Sequence, residues 1–180
     1  MSQAMKTLIS FVLVGIAFIA NGVAAQSTTL KPEYLMTYVA YLDPPQVIDS
    51  SLFIFNAKPG GWAKGPAISG TFVSPSGDWL QVLPSGVLRL DVRATLKTDD
   101  GEFIYISYNG VIQHSTESSE RLNKGEVLTT ADIPYFVTAA TFRTSSEKYA
   151  WLNRVQAINK VVEVKLGEGS YVKYDVFVIR

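Results

Sequence analysis

A small set of acidic, basic and aromatic side chains is able to carry chemistry. Asp78 and Trp79 open a strand-like run directly after a glycine turn, and Asp91 and Arg93 lie two residues apart in the next run. Side chains two residues apart in a strand share a face, so Asp91 could pair with Arg93 or serve as a proton acceptor. Tyr105 lies diagonally across a predicted hairpin from Arg93. A carboxylate can move a proton, and an arginine with a tyrosine can stabilise an enolate or phenolate.

A second group of aromatic residues lies late in the chain. It comprises Tyr135, Phe136, Tyr149 and Trp151. Together with Trp79, these rings are candidates to bind a flat, oxygenated, apolar molecule. The alternative interpretation is purely structural. In it the tryptophans fill the core, and the acidic and basic residues of the strand form a surface ion pair worth less than ~1 kcal/mol.

Several other kinds of site are excluded by composition and spacing. The chain has no cysteine, which excludes disulfides and thiolate chemistry, and one histidine, His114, which excludes a multi-histidine metal site. The acidic cluster Asp99, Asp100 and Glu102 is explained by a tight turn and lacks the longer spacing of a calcium loop. Neither a P-loop nor a dinucleotide-binding glycine motif is present. We therefore expect no metal and no cofactor.

His114 begins a polar, serine-rich segment. A Ser-His-Asp triad needs a histidine held on both sides, whereas a loop histidine among serines is more often solvated. The segment runs as far as Gly125. A long polar connection of this kind is typical of a lid over a binding site.

The charge balance and the N-terminus indicate where the protein works. The 180-residue chain carries 16 Lys+Arg and 16 Asp+Glu residues, which argues against nucleic acid as a partner. Residues 1–25 have the pattern of a secretory signal peptide: Lys6 precedes a short apolar run, and Val23 and Ala25 occupy the cleavage-site positions. We expect a secreted or periplasmic protein of one domain, residues 26–180, without stable membrane association. Its partner would be a small-molecule ligand or substrate, and the sequence is compatible with a homo-oligomer.

The mature chain consists of short alternating runs separated by Gly, Pro and Asp. About nine strands are predicted, over Glu33–Leu42, Val47–Phe55, Ile68–Val73, Asp78–Leu83, Val87–Lys97, Glu102–Val111, Tyr135–Arg143, Val155–Leu166 and Tyr171–Ile179. Their short connections favour an all-β fold, with an antiparallel sheet closed or nearly closed into a barrel. One short helix is predicted over Ser145–Asn153, covering a barrel mouth or forming a surface turn.

The central hairpin can be predicted residue by residue. A three-residue loop with Gly101 in the left-handed conformation pairs Thr98 with Glu102. One face then holds the pairs Leu96–Ile104, Ala94–Ile106 and Val92–Tyr108. The other face holds the pairs Lys97–Phe103, Thr95–Tyr105, Arg93–Ser107 and Asp91–Asn109. Periodicity alone places this second face in solvent rather than around a ligand cavity.

Short motifs follow one another along the whole mature chain. They are Gly65-Pro66, Gly70, Gly77-Asp78-Trp79, Gly86, Asp91-Val92-Arg93, Asp100-Gly101, Tyr108-Asn109-Gly110, Tyr135-Phe136, Phe142-Arg143-Thr144 and Tyr149-Ala150-Trp151-Leu152-Asn153. Their ordered set resembles the domain of unknown function 3237 family. The resemblance implies a compact antiparallel β-barrel, somewhat lipocalin-like in shape, without a cofactor. A few fungal members are associated with polyketide ring closure, in which a hydroxyl adds intramolecularly to an alkene or enone.

The resemblance also changes the expected orientation of the hairpin. It implies that Arg93 and Tyr105 face the barrel interior rather than solvent. Two positions depart from the family pattern: Ser76-Gly77 replaces a paired glycine, and Arg143 stands where an acidic residue is usual. If that acid is catalytic in relatives, this chain lacks it.

Two functions fit the sequence. The first is a cofactor-free enzyme acting by proton transfer on a small oxygenated aromatic or polyketide-like molecule, through cyclisation, intramolecular hydroxyl addition or isomerisation. Asp91 or Asp78 would be the acid or base, and Arg93 and Tyr105 would hold the oxyanion. The second is a secreted barrel that binds or carries a small apolar ligand unchanged. A raised carboxyl pKa inside a cavity would favour the enzyme, and an apolar cavity without ionisable groups would favour the carrier.

Overall fold

The computed structural model describes residues 29–180, so the expected signal peptide lies outside the described residues. The elements follow in the order β1 Pro32–Tyr41, β2 Gln46–Val47, β3 Leu52–Asn56, β4 Trp62–Lys64, β5 Ser69–Val82, β6 Leu88–Thr98, β7 Phe103–Gln113, α1 Thr116–Asn123, β8 Leu128–Thr129, β9 Tyr135–Arg143, a 3₁₀ helix Ala150–Arg154, β10 Gln156–Lys165 and β11 Tyr171–Ile179. Neither helix in this part of the chain is long and apolar enough to cross a membrane.

Eight of the strands close an antiparallel barrel. They pair in the order β5-β4-β1-β11-β10-β9-β7-β6, and β6 pairs with β5 to complete the circle. The other three strands are additions, since β2 pairs with β3, β3 with β5, and β8 with β10. Successive residues of a strand point to opposite sides, so each barrel strand gives one apolar set to the interior. The predicted antiparallel barrel is confirmed.

The β6–β7 hairpin has the predicted register. All the predicted pairs on both faces are present. The Thr98 amide donates to the Glu102 carbonyl at 2.8 Å, and Gly101 has a φ of 93°, which is the left-handed conformation that glycine adopts without strain. Local turn chemistry and alternation were sufficient here because the hairpin is a short-range structure.

Strand β5 is longer than predicted. The segment Pro75-Ser76-Gly77 was expected to end one strand before another began, but β5 continues through it with a bulge. Val73 pairs with Thr95 and Gly77 with Arg93, so β5 holds two extra residues at this place. The Ser76 hydroxyl donates to the Val73 carbonyl at 2.7 Å and accepts from the Thr95 amide at 3.0 Å. This side chain replaces backbone bonds that the bulge removes from the ladder.

The helix predicted over Ser145–Asn153 forms only in its second half, as the 3₁₀ helix Ala150–Arg154. The α-helix α1 forms in the polar segment after β7. Ser115 caps α1: its Oγ accepts from the Ser118 amide at 3.1 Å, and the Ser118 hydroxyl accepts from the Ser115 amide at 2.9 Å. This is a capping box with serine in the place where glutamate or glutamine is usual. The serine-rich composition of this segment is typical of a loop, and α1 was therefore not predicted.

The two ends of the barrel are closed in different ways. Beside the β6–β7 turn, the Tyr149 hydroxyl donates to the Asp100 carboxylate, with distances of 3.1 and 3.2 Å to its two oxygens. Lys148 also pairs with Asp100, at 2.5 Å. Leu96 and Leu152 are completely buried, so the core at this end is filled. At the opposite end, the residues of α1 face an open space inside the barrel.

Candidate functional site

A cavity of about 310 Å³ occupies the α1 end of the barrel. This volume lies at the lower end of the ~300–1,000 Å³ typical of small-molecule sites. Most of its wall is aliphatic, from Ala40, Leu42, Ala57, Leu80, Leu88, Leu90, Val92, Ala94, Ile106, Ile112, Leu122, Ile133, Val164, Leu166 and Val172. Among the described residues Asp78 is the only carboxylate in the lining. An apolar cavity with few polar groups is the usual form of a small-molecule site.

Asp78 faces the cavity because of its position on β5. It pairs with Val92 of β6, which is buried on the interior face of the hairpin. The bulge before it holds an even number of extra residues, so alternation is preserved across it. Asp78 therefore points to the same side of β5 as Phe72 and Leu80, both of which line the cavity.

The environment of Asp78 changes its acidity. Its Oδ1 accepts a hydrogen bond from the Asp91 amide at 3.0 Å. Burial raises the pKa of Asp78 to about 7, the Asp91 amide opposes this by stabilising the carboxylate, and the negative charge of Asp91 adds to the rise. The group is therefore present both as an acid and as a base near neutral pH, as a general acid–base catalyst requires.

Three tyrosines meet beside Asp78, and we call them the tyrosine cluster: Tyr38 of β1, Tyr108 of β7 and Tyr174 of β11. All three are buried and line the cavity. The ring centroids of Tyr38 and Tyr174 are 5.1 Å apart, and those of Tyr108 and Tyr174 are 6.2 Å apart. Burial is the main cause that raises the pKa of each phenol, and the Asp78 charge contributes to each. The phenols are therefore neutral donors at physiological pH.

The hydroxyl of Tyr38 is unusual within this cluster. Tyr38 is 3% exposed, and in the part of the chain that the structure describes its hydroxyl has no partner with hydrogen-bond geometry, although it lies close enough to the Tyr108 hydroxyl for that group to contribute to the rise in its pKa. Leaving a buried polar group unpaired costs about 1–3 kcal/mol. A molecule in the cavity that supplied a partner for this oxygen would recover part of that energy.

Helix α1 lies at the mouth of the cavity, which it lines with Ser118, Ser119, Leu122 and Asn123. The His114 ring joins this helix to the turn before β6: Nε2 is 3.1 Å from the Gly86 carbonyl, and Nδ1 is 2.6 Å from the Ser119 hydroxyl. The position foreseen for a lid is therefore occupied by a helix. The partner on the far side of His114 is a carbonyl rather than an aspartate, so the Ser-His-Asp arrangement is not assembled here.

Four predicted site residues on β5, β6 and β7 lie on the outside of the barrel. The prediction that Arg93 and Tyr105 face the interior is wrong, because alternation places both on the outer face with Asp91. Arg93 pairs with Asp91 at 3.1 Å, and its guanidinium lies 5.5 Å from the ring centroid of Trp79. Tyr105 is 40% exposed and Trp79 39% exposed. The solvent orientation given by periodicity alone was the correct one.

The late aromatic residues are not brought together. Phe136 lines the cavity and packs against Tyr174, with 5.5 Å between ring centroids. Its neighbour Tyr135 points outward and is 44% exposed. Tyr149 is buried at the filled end of the barrel, and Trp151 packs partly buried against the core. Of these four predicted ligand-binding residues, the structure places Phe136 at the cavity.

Sequence analysis did not single out the tyrosine cluster. Tyr38 and Tyr174 stand at interior positions of strands whose alternation was visible, and Tyr108 was assigned to the apolar face of the hairpin. The available signal was a phenol at a position where the pattern calls for an aliphatic residue. In residues 29–180 no group of three or more His, Asp or Glu side chains is arranged to hold a metal ion.

Comparisons with known sequences identify related proteins. Residues 30–179 match the family described as Protein of unknown function (DUF3237). A UPF0311 protein of Rhodopseudomonas palustris is 31% identical over 93 residues, which are 52% of this chain and 60% of the relative. A UPF0311 protein of Clostridium acetobutylicum is 37% identical over 81 residues, which are 44% of this chain and 51% of the relative. The matches thus span 60% and 51% of the lengths of these curated relatives.

Comparisons with solved structures show the same fold. A conserved protein of unknown function from Rhodopseudomonas palustris has a TM-score of 0.74 at 24% identity, covering 86% of this chain and 100% of that one. A β-barrel-like protein from Acinetobacter baumannii has a TM-score of 0.69 at 26% identity, covering 87% and 99%. An enzyme from Penicillium herquei has a TM-score of 0.62 at 23% identity, covering 88% and 100%.

Proposed function

The chain belongs to the DUF3237 family of proteins of unknown function, and we propose that it is a cofactor-free enzyme that moves protons on a small, oxygenated, apolar molecule held in the barrel cavity. The observation that carries this proposal is the pKa of about 7 at Asp78, inside an otherwise apolar cavity. A carboxylate of ordinary pKa would be a weaker base toward a hydroxyl proton, whereas a pKa near 7 favours proton transfer in both directions at neutral pH. A carrier has no need of such a group in its binding site.

The reaction that suits this cavity is the intramolecular addition of a hydroxyl to an enone. The Asp78 carboxylate takes the proton of the hydroxyl as its oxygen bonds to the β-carbon. The electron pair of the C=C bond moves to form an enolate, whose oxygen accepts hydrogen bonds from the tyrosine cluster. Protonated Asp78 then delivers its proton to the α-carbon, and the C=O bond is restored. The net change is an isomerisation, so no co-reactant is needed.

The residues that stabilise the oxyanion in this mechanism differ from those proposed from the sequence. Arg93 and Tyr105 lie on the outside of the barrel. The neutral phenols of Tyr38, Tyr108 and Tyr174 instead donate the hydrogen bonds to the oxyanion. Asp91 contributes its backbone amide, while its carboxylate pairs with Arg93 on the outer face. Asp78 is therefore the preferred base of the two acids.

The comparisons add support of a general kind. A protein from Penicillium herquei with the same fold is described as an enzyme, so this barrel can host catalysis. Its identity to this chain is 23%, a level at which fold alone is shared and the site must be argued from its own residues.

The test is an assay with 2′-hydroxychalcone, whose ring closure to flavanone is an intramolecular addition of this kind and can be followed by its absorbance. We expect the protein to accelerate the reaction and Asp78→Asn to lower kcat by about 10²–10⁴-fold. Asp99→Asn, a matched change on the exposed β6–β7 turn, should leave kcat unchanged, and Asp91→Asn should keep most of it. An Asp78→Asn variant as active as the wild type would overturn the assignment.

A carrier is the second candidate, and the largely aliphatic lining of the cavity favours it. A carrier would bind 2′-hydroxychalcone without converting it, and Asp78→Asn would leave that binding intact. Equilibrium binding measured beside the kinetic assay separates the two functions.

The expected signal peptide gives a proposal on location. We propose that cleavage after Ala25 releases a mature protein that begins at Gln26 and acts outside the cytoplasm. N-terminal sequencing of the protein recovered from its native compartment tests this, and an intact Met1 on protein recovered from the cytoplasm would contradict it.

A further inference from the structure

In the part of the chain that the structure describes, the cavity lining contains an acidic side chain and no lysine or arginine to balance it. Among the described residues Asp78 is the only carboxylate in the lining. His114 lies at the mouth, where its two ring nitrogens contact a backbone carbonyl and the Ser119 hydroxyl. Arg93, on the neighbouring strand, points away and pairs with Asp91. An anionic ligand would therefore lose its hydration without gaining a cationic partner. It would also face the Asp78 carboxylate in a medium that screens charge poorly.

The polar atoms in the same region suit a neutral oxygen. The Tyr38 hydroxyl is enclosed without a well-formed hydrogen bond among the residues described. The Tyr108 hydroxyl is near it and contributes to the rise in its pKa, and Tyr174 supplies a third phenol to the cluster. A phenol can donate one hydrogen bond and accept others. A carbonyl or hydroxyl oxygen of a ligand is the complementary group. The surrounding rings of Phe72 and Phe136, at 5.3 Å from Tyr38 and 5.5 Å from Tyr174 between centroids, give such a ligand an apolar contact surface.

We propose that the cavity selects neutral ligands over anions, and that Tyr38 is the specificity-determining residue that binds a carbonyl or hydroxyl oxygen at the buried end of the ligand. Asp78 enforces the selection against anions, and Tyr108 and Tyr174 complete the oxygen site. This inference deepens the proposed function and rests on it in one respect, that the same cavity is the substrate site.

Four probes that share one ring system test the proposal by calorimetric titration at about pH 8. They are 2-acetylnaphthalene, a neutral ketone; 2-ethylnaphthalene, a hydrocarbon of similar shape; 2-naphthoate, an anion; and 2-naphthylmethylammonium, a cation. We expect the ketone to bind about tenfold or more tightly than the anion, and more tightly than the other two. The hydrocarbon cannot use the oxygen site, and the cation loses its hydration in an aliphatic cavity for a single carboxylate partner, a cost that one ion pair does not recover. Tyr38→Phe should weaken ketone binding about three- to tenfold, the effect of one neutral hydrogen bond, and leave hydrocarbon binding unchanged.

Two further variants give the controls. Tyr105→Phe makes the same chemical change on the outer face and should alter the affinity of no probe. Asp78→Asn should improve the affinity for 2-naphthoate, because it removes the opposing charge. The melting temperature of Tyr38→Phe, measured in parallel, shows that any lost affinity does not come from unfolding.

The proposal is overturned if 2-naphthoate binds as tightly as the ketone, if the ammonium probe binds best, or if the ketone does not bind. An unchanged ratio of ketone to hydrocarbon affinity in Tyr38→Phe overturns the role of that residue. Failure of the proposed function looks different. If neutral selectivity holds but 2′-hydroxychalcone is not converted, the barrel is a selective carrier. If conversion is observed while Tyr38→Phe alters neither selectivity nor KM, this inference alone fails.

Discussion

The carboxylate of Asp78 accepts a hydrogen bond from the backbone amide of Asp91, with 3.0 Å between Oδ1 and N. The contact lies at the seam where β5 and β6 close the barrel. In the β5–β6 ladder the pair Asp78–Val92 is followed by the pair Gln81–Arg89, and the residues between these two pairs are not paired with each other. The carboxylate thus satisfies a backbone donor beside the interrupted ladder. The same contact holds Asp78 at the cavity wall.

Stability should depend on pH through Asp78. Burial raises its pKa from an ordinary value of 3.8 to about 7, so between these values the folded state binds more protons than the unfolded state. The free energy of unfolding therefore falls as pH rises through this window, by at most about 4 kcal/mol, and this contribution levels off above it. Urea denaturation between about pH 4.5 and 8 measures the slope.

The Asp78→Asn variant is the control for this pH dependence. It keeps an oxygen acceptor for the Asp91 amide and cannot ionise, so its stability should change less over the same range. Asp100 and Asp132 have pKa values lowered to about 2 by their hydrogen bonds to Lys148 and to Thr129, respectively. Their stabilising contributions are lost on acidification below about pH 4, outside this window. Equal slopes in the wild type and the variant would contradict the assignment.

Removing the hydroxyl should have opposite consequences at two buried tyrosines. Tyr38→Phe deletes an oxygen that makes no well-formed hydrogen bond within residues 29–180, so the free energy of unfolding should stay the same or rise by up to about 1 kcal/mol. Tyr149→Phe deletes a donor to the Asp100 carboxylate, so the free energy of unfolding of this variant should fall by about 1.5–3 kcal/mol. Chemical denaturation of both variants side by side checks the contrast. A clear loss of stability in Tyr38→Phe would mean that its hydroxyl has a partner in solution.

Ser76→Ala should destabilise the bulge of β5. The change leaves the Thr95 amide and the Val73 carbonyl without the hydroxyl that bonds to both. We expect a loss of about 1–2 kcal/mol in the free energy of unfolding. Ser74→Ala, an equal change at an exposed position of the same bulge, should cost less than about 0.5 kcal/mol. Similar losses in the two variants would show that the Ser76 hydroxyl is not the stabilising element.

Arg93→Met should have little effect of any kind. The Arg93 side chain is 49% exposed, and its contacts with Asp91 and the Trp79 ring are on the outer face. Exposed ion pairs and cation–π contacts each contribute at most about 1 kcal/mol, so we expect a change in stability of that size or less. Ligand affinity and turnover should be unchanged. A tenfold loss of turnover would instead place part of the site on the outside of the barrel.

Much of the fold could be predicted from local sequence because its causes are local. Alternation set the strands, and Gly101 with the polar residues beside it set the hairpin and its register. Both depend on residues that are close along the chain. The missed α1 also has a local cause, but its capping residues Ser115 and Ser118 depart from the usual pattern. The bulge of β5 was read as a strand end because proline and glycine commonly end strands.

The candidate site was predicted in part, for a physical reason. The sequence by itself determined that Asp78 is an acid at the start of a strand, that Asp91 and Arg93 share a strand face, and that no thiol or multi-histidine site is available. Only the tertiary structure decided which of these face the ligand. Closure of the barrel fixed the inside of the hairpin and brought Tyr38, Tyr108 and Tyr174 together from β1, β7 and β11. The pKa of Asp78 arises from burial, which is a property of the packed barrel and of no short stretch of its sequence.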